Sequence, residues 1–272
     1  MAPDVLPLLI AMLCAGAVAG LIGGLFGIGG GVILVPTLYH LLTALQLGGD
    51  RAVHIAVATS LATIISTSVA SLRSHHRTQN VDWALLRAWT PWIALGAVVG
   101  GVIAQAISGA VLAVVFGVLA LATALRFALT QSRPVQLAAE LPKGLLQAFL
   151  GISLGIASAL MGIGGGVFGV LIMTMCGRSI HQAVATASGF GLAIAVPAVL
   201  ANIATGWNAP DLPPFSLGYV NIGAALILGA MTAITAPFGA RLAHRLDRRK
   251  LQTLFAICLA IVALNMIWEG IS

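Results

Sequence analysis

Two Gly-Ile-Gly-Gly-Gly runs, Gly27 to Gly31 and Gly162 to Gly166, are the residues of this chain best suited to hold a small anion. The chemistry would be that of the backbone. Glycine in a helix interior costs about 1 kcal/mol against alanine, so three in succession break a helix inside an apolar stretch. A helix restarting after the break has unbonded N–H groups and the positive end of its dipole at its first turn. Two such restarts facing each other would bind an anion without a fixed lysine or arginine. Gly27, Gly29, Gly30 and Gly31, with Gly162, Gly164, Gly165 and Gly166, are therefore candidate substrate-binding positions. Tight helix crossing is the plainer use of glycine, but one small residue per turn suffices for that. A nucleotide-binding loop is excluded, because no strand precedes the glycines and no Lys-Ser or Lys-Thr follows.

A second string is shared downstream: Arg51-Ala-Val-His-Ile-Ala-Val-Ala-Thr59 matches Arg178-Ser-Ile-His-Gln-Ala-Val-Ala-Thr186. Arg51 and His54 fall on one face of a helix start, as do Arg178 and His181, and each pair could guide anions toward a mouth of the path or gate it. The plainer reading makes Arg51 a surface residue with Asp50 as a weak partner. Thr59 lies about 10 Å along its helix and Thr63 about 16 Å at roughly 1.5 Å per residue, which brings both near the middle of a bilayer. Thr59, Ser60, Thr63, Thr186 and Ser188 are thus candidate hydroxyl ligands, although such hydroxyls often bond only their own i−4 carbonyl. The second copy has Ala187 where the first has Ser60, so the hydroxyl sets are unequal.

No catalytic residue is indicated. Ser188 lacks a nucleophile elbow, and the carboxylates all lie near segment ends, which makes an intramembrane proton relay of carboxylates hard to build. His54 and His181 could carry protons near neutral pH. Cys14, Cys176 and Cys258 have no metal or redox spacing and read as packing residues, while His75 and His76 read as interfacial. Neither a cofactor nor a metal is indicated.

The elements that must position these residues follow from composition. Of 272 residues, 60% are hydrophobic and 7% charged, and apolar runs recur along the whole length, which defines a polytopic membrane protein. The net charge of +6 is explained by short basic clusters between apolar runs rather than by nucleic-acid binding. The opening stretch could pass for a secretory signal, but no Lys or Arg precedes its apolar core and the second copy carries its equivalent internally. Eight hydrophobic segments are predicted, near 5–47, 52–72, 83–104, 109–129, 143–177, 181–205, 215–240 and 250–269. The first and fifth exceed the roughly 20 residues of one crossing, and each carries a glycine run near its middle, so helix-break-helix hairpins are expected there. With those two segments entering and returning, every one of the 13 lysines and arginines except Arg51 falls on one side, whereas single crossings would split them almost evenly.

Each half then makes an odd number of net crossings. The expected fold is all-α, with two inverted repeats at 1–140 and 141–272, both termini outside and the basic loops in the cytoplasm. Gly100-Gly-Val-Ile-Ala104 and Phe116 align with Gly239-Ala-Arg-Leu-Ala243 and Phe255, so the duplication covers most of each half. Gly96, Gly100, Gly101, Gly223, Gly229 and Gly239 are assigned to helix packing, and exposed faces of small residues would permit a homodimer.

The paired glycine runs, the Ala56-Val-Ala-Thr-Ser60 string, the loop His75-His-Arg-Thr-Gln-Asn-Val-Asp-Trp83 and the Gly100-to-Phe116 stretch resemble the sulfite and organosulfonate exporters of the TauE/SafE type. That resemblance implies an inner-membrane permease for small sulfur-containing anions such as sulfite or sulfoacetate, usually exporting, with both glycine runs and Thr59, Ser60 and Thr186 in its shared core. A passive anion channel, an intramembrane enzyme and a membrane assembly protein without transport are the other classes weighed; a channel predicts flux without saturation.

Overall fold

The computed structural model describes residues 5–26, 29–77, 79–129, 140–243, 245 and 248–271. Helices dominate: α1 (Val5–Phe26), α2 (Gly31–Ala44), α3 (Ala52–His76), α4 (Trp83–Ala106), α5 (Gly109–Leu129), α6 (Leu145–Leu160), α7 (Gly166–Met175), α8 (Ile180–Gly206), α9 (Ile222–Ala243) and α10 (Arg248–Ile271). Among the described residues, α1, α3, α4, α5, α8 and α9 contain stretches long and apolar enough to cross a bilayer; α2, α6 and α7 are apolar but shorter, and in α10 the apolar stretch is Ala256–Ile271. Large apolar side chains such as Val102, Leu200, Leu226 and Trp268 stay exposed, which suits hydrocarbon and not water. This is a multi-pass membrane protein.

Both glycine runs fall between helices, one between α1 and α2 and the other between α6 and α7. Gly27 and Ile28 lie outside the described residues.

The helices pair across the two sequence halves. By the sequence repeat α1 corresponds to α6, α2 to α7, α3 to α8, α4 to α9 and α5 to α10. Contacts obey that exchange: α1 packs along α9 and α6 along α4, α3 packs on α9 and α8 on α4, while α3 with α8 and α5 with α10 pair with their own equivalents. The halves are therefore interlocked rather than side by side. α3 and α8 run antiparallel: the Ser71 and Ser188 hydroxyls meet at 3.1 Å, Gly191 abuts Ser68, and the start of α3 lies by Tyr219, against which the end of α8 packs.

Glycine permits these pairings, because without a hydrophobic drive helices associate through close backbone approach. A Cβ on Gly16, Gly20 or Gly24 of α1 would strike α9, and one on Gly239 would strike the Leu21 carbonyl. The counterpart seam joins Gly96 and Gly100 of α4 to Ile152 and Ile156 of α6. Gly101 and Gly229 would meet Ala201 and Ser66 at 3.0 Å. Gly223 differs from the packing expectation, since its nearest neighbour would stand at 3.5 Å, an ordinary contact.

One element departs from helix. Residues expected to open the seventh segment form a short antiparallel hairpin, β1 (Ser216–Leu217) with β2 (Val220–Asn221), in the register Ser216 to Asn221 and Leu217 to Val220. Gly218, at φ +55°, takes the first corner of the two-residue turn, a position that favours glycine in tight hairpins. The hairpin delays the helix to Ile222 and turns Tyr219 back against α8, where its N–H reaches the Asn202 carbonyl.

Candidate functional site

The two glycine runs meet at the centre of the molecule. Gly29, Gly30 and Gly162 take φ values of +74°, +81° and +60°, which L side chains rarely adopt. Gly31 opens α2 against the second run, and a Cβ there would collide with the Gly162 carbonyl oxygen. Ser60 Oγ donates to that same carbonyl at 2.9 Å, so α3 holds the second break in place. Gly30 and Gly165 are the N-caps of α2 and α7, and as glycines neither offers a side-chain acceptor to the first-turn amides. Gly164, Gly165 and Gly166 are buried, with Gly165 against Phe190 and Ile194.

The hydroxyls have partners within the protein. Thr59 Oγ1 accepts the Asn221 N–H at 3.0 Å, and Thr186 Oγ1 accepts the Asp82 N–H at 3.0 Å. Because α3 corresponds to α8 and the entry to α9 corresponds to the entry to α4, these are one contact made twice, each time across the halves. Asp82 and Asn221 also cap their helices, accepting from the N–H groups of Leu85 at 3.0 Å and Ala224 at 2.9 Å. Thr63 and Ser188 donate to their own i−4 carbonyls, Thr59 at 3.0 Å and Val184 at 3.1 Å. All five candidate hydroxyl residues are at most 1% exposed.

Two sizeable cavities lie away from the glycine runs, one beside each arginine. The first, of about 450 Å³, is lined by Arg51, His54, Gln105, Ser108, Tyr219 and Glu269, among others. Arg51 donates to the Tyr219 hydroxyl and stands 5.7 Å from the centre of its ring. His54, 6% exposed, uses Nε2 to reach the carbonyls of Ala104 and Ile107, both at 3.0 Å, and its buried Nδ1 has no partner among the described residues. That leaves one ring nitrogen able to bond a further group. Gln105 donates to Asn202 at 2.9 Å.

The second cavity, of about 610 Å³, is lined by Asp82, Trp89, Lys143, Gln147 and Arg178, among others. Arg178 pairs with Asp82 at 3.5 Å. His181, on the first turn of α8, is not among the lining residues, so the symmetry of the two Arg-His pairs is broken here. Among the described residues no three His, Cys, Asp or Glu side chains form a metal-holding group.

The structure thus brings Gly29, Gly30, Gly31, Ser60 and Gly162 into one buried knot and sends Arg51 with His54, and Arg178, to separate cavities. Tyr219, Gln105, Asp82 and Asn221 are polar residues of these places that motif reading passed over. Extending the Gly100 and Gly239 alignment backward pairs Val81-Asp82 with Val220-Asn221, and that signal would have found two of them.

A multi-pass helical bundle with an arginine-bearing cavity beside the start of each of two equivalent helices suits passage of a small anion, and its relatives place it among membrane transporters. The chain belongs to the sulfite exporter TauE/SafE family, whose model matches residues 12–266. It is 33% identical over 258 residues to a "Probable membrane transporter protein" of Haemophilus influenzae, covering 95% of this chain and 97% of that one. It is 26% identical to proteins given the same description from Methanocaldococcus jannaschii, over 96% of this chain and 95% of the relative, and from Bacillus subtilis, over 96% and 98%. No solved structure matches it.

Proposed function

We propose that the protein is an inner-membrane permease that exports a small sulfur-containing anion such as sulfite or sulfoacetate by alternating access. The observation that carries this reading is the exchange of equivalent contacts: Thr59 with Asn221 and Thr186 with Asp82, on helices α3 and α8 that run antiparallel. A carrier built of two inverted repeats, 1–140 and 141–272, has equivalent access routes on opposite faces, and the Arg51 and Arg178 cavities suit those routes. Segments 5–47 and 143–177 are the helix-break-helix hairpins of that topology, both termini lie outside, and the basic loops lie in the cytoplasm.

In this conformation Gly31 abuts Gly162, and among the described residues the glycine runs line neither the Arg51 nor the Arg178 cavity. Opening would part Gly31 from Gly162 and bring the first-turn amides of α2 and α7 to the anion, along with Ser60. The moving bodies are not the sequence halves, because the α1–α9 and α4–α6 seams cross between them. Each body instead combines helices of both repeats, one holding α1 with α9 and the other α4 with α6.

Flux of sulfite, sulfoacetate, sulfate, acetate and chloride into proteoliposomes tests the proposal. Saturable movement of one sulfur anion, accelerated by the same anion on the far side, supports the carrier. Flux without saturation or exchange would instead favour a passive channel.

A further inference from the structure

Asp82 and Asn221 occupy equivalent places and differ in charge. Each caps a helix through its side chain and gives its own N–H to a threonine of the other half. A cap requires only an acceptor, which asparagine provides as well as aspartate, so beyond the modest attraction of the helix dipole, capping does not account for the charge at position 82. The charge faces Arg178, whose guanidinium lies 3.5 Å from Oδ2. On the other face Asn221 donates its amide to the Pro214 carbonyl and the Ser216 hydroxyl, and Arg51 rests on the neutral phenol of Tyr219. Two carboxylates line the Arg51 cavity: Glu269 is bonded to Tyr39 at 3.2 Å and lies 3.8 Å from His40, and Asp50, beside Arg51 in the chain, forms no ion pair with it among the described residues.

We propose that the Asp82 carboxylate is a tethered rival of the transported anion for Arg178, displaced when the anion arrives, with no equivalent rival at Arg51. The inference rests on the anion-carrier reading above. Its consequence is a sided affinity: the anion meets an occupied arginine on one face and a neutral partner on the other. The pair is half-exposed, at 43% for Arg178 and 21% for Asp82, so it is weak enough to be exchanged. Other charged groups nearby are engaged. Lys143 and Glu140, which line the same cavity, pair with each other at 3.2 Å. His76 accepts from the Trp83 indole at 3.3 Å, and Arg87 donates to the Trp83 carbonyl at 3.3 Å. Cys176 also borders the cavity, and His181 stands on the first turn of α8.

The test compares wild type, Asp82→Asn and Asp82→Glu in right-side-out and inverted membrane vesicles. Initial uptake rates of radiolabelled sulfite, sulfoacetate and acetate are measured at one neutral pH. Asp82→Asn keeps the cap and is expected to lower KM from one face only, by about threefold to fivefold, the range a half-exposed ion pair supports. Asp82→Glu, which keeps both the charge and an acceptor, should retain the wild-type KM from each face. Saturable wild-type flux with an unchanged KM in Asp82→Asn, or with equal changes from both faces, overturns the rivalry and leaves the carrier reading standing. An absence of saturable wild-type flux for every anion removes the carrier reading and the rivalry together.

Discussion

Thr59 accepts the backbone N–H of Asn221 at 3.0 Å, although the two residues belong to different halves of the chain, and the bond recurs between Thr186 and Asp82. A threonine in the middle of one repeat thereby sets where a helix of the other repeat begins. Thr59 and Thr186, candidate ligands by sequence, are in this conformation pins of the interlock.

Thr59→Val keeps the shape of the side chain and removes the acceptor, so the Asn221 N–H loses its partner. The expected cost is about 1–3 kcal/mol, with Thr186→Val alike. Thermal unfolding in detergent should show both variants lowered and Thr59→Ser close to wild type. Equal stability of the valine and serine forms would count against a pinning role.

Gly31→Ala places a methyl group on the Gly162 carbonyl, and backbone cannot move aside as a flexible side chain could. Loss of both folded yield and flux is expected, measured by size exclusion and by uptake. Gly223→Ala is the contrasting case. Its nearest neighbour would stand at 3.5 Å, and in the first turn of α9 alanine gains only part of the about 1 kcal/mol it has over glycine in a helix interior, so stability should hold or rise slightly.

Arg51→Gln removes the cation from the cavity that also holds His54 and Tyr219. For an anion carrier, KM from that face should rise about tenfold, the value of one charge-assisted hydrogen bond, with the maximal rate less affected. Unchanged flux and affinity would rule out anion guidance by Arg51.

The proposed topology places Ser108 outside and Arg245 in the cytoplasm, and both residues are exposed. In a background lacking Cys14, Cys176 and Cys258, a membrane-impermeant maleimide applied to intact cells should label Ser108→Cys at once. Arg245→Cys should react only after permeabilisation. The reverse pattern would invert the whole arrangement.

Membrane class, the repeat and the helix breaks are legible in the chain because each rests on a local property. Apolar length sets whether a helix can cross hydrocarbon, and a glycine triplet weakens a helix by about 1 kcal/mol per residue at its own place in the chain. The equivalence of Arg51 with Arg178 and of Thr59 with Thr186 is likewise written in the strings themselves. What those residues touch is not. Tyr219 reaches Arg51, and Ser60 reaches the Gly162 carbonyl, across 168 and 102 residues of sequence separation. These contacts arise because α3 packs against α8, α9, the end of α6 and the hairpin that precedes α9, so that each repeat completes the other. Spacing along one chain reports which face of a helix a residue occupies, but the partner on that face depends on which helix of the other repeat arrives there. The unequal fates of Arg51, against a phenol, and Arg178, against a carboxylate, therefore emerge only once the halves are interlocked.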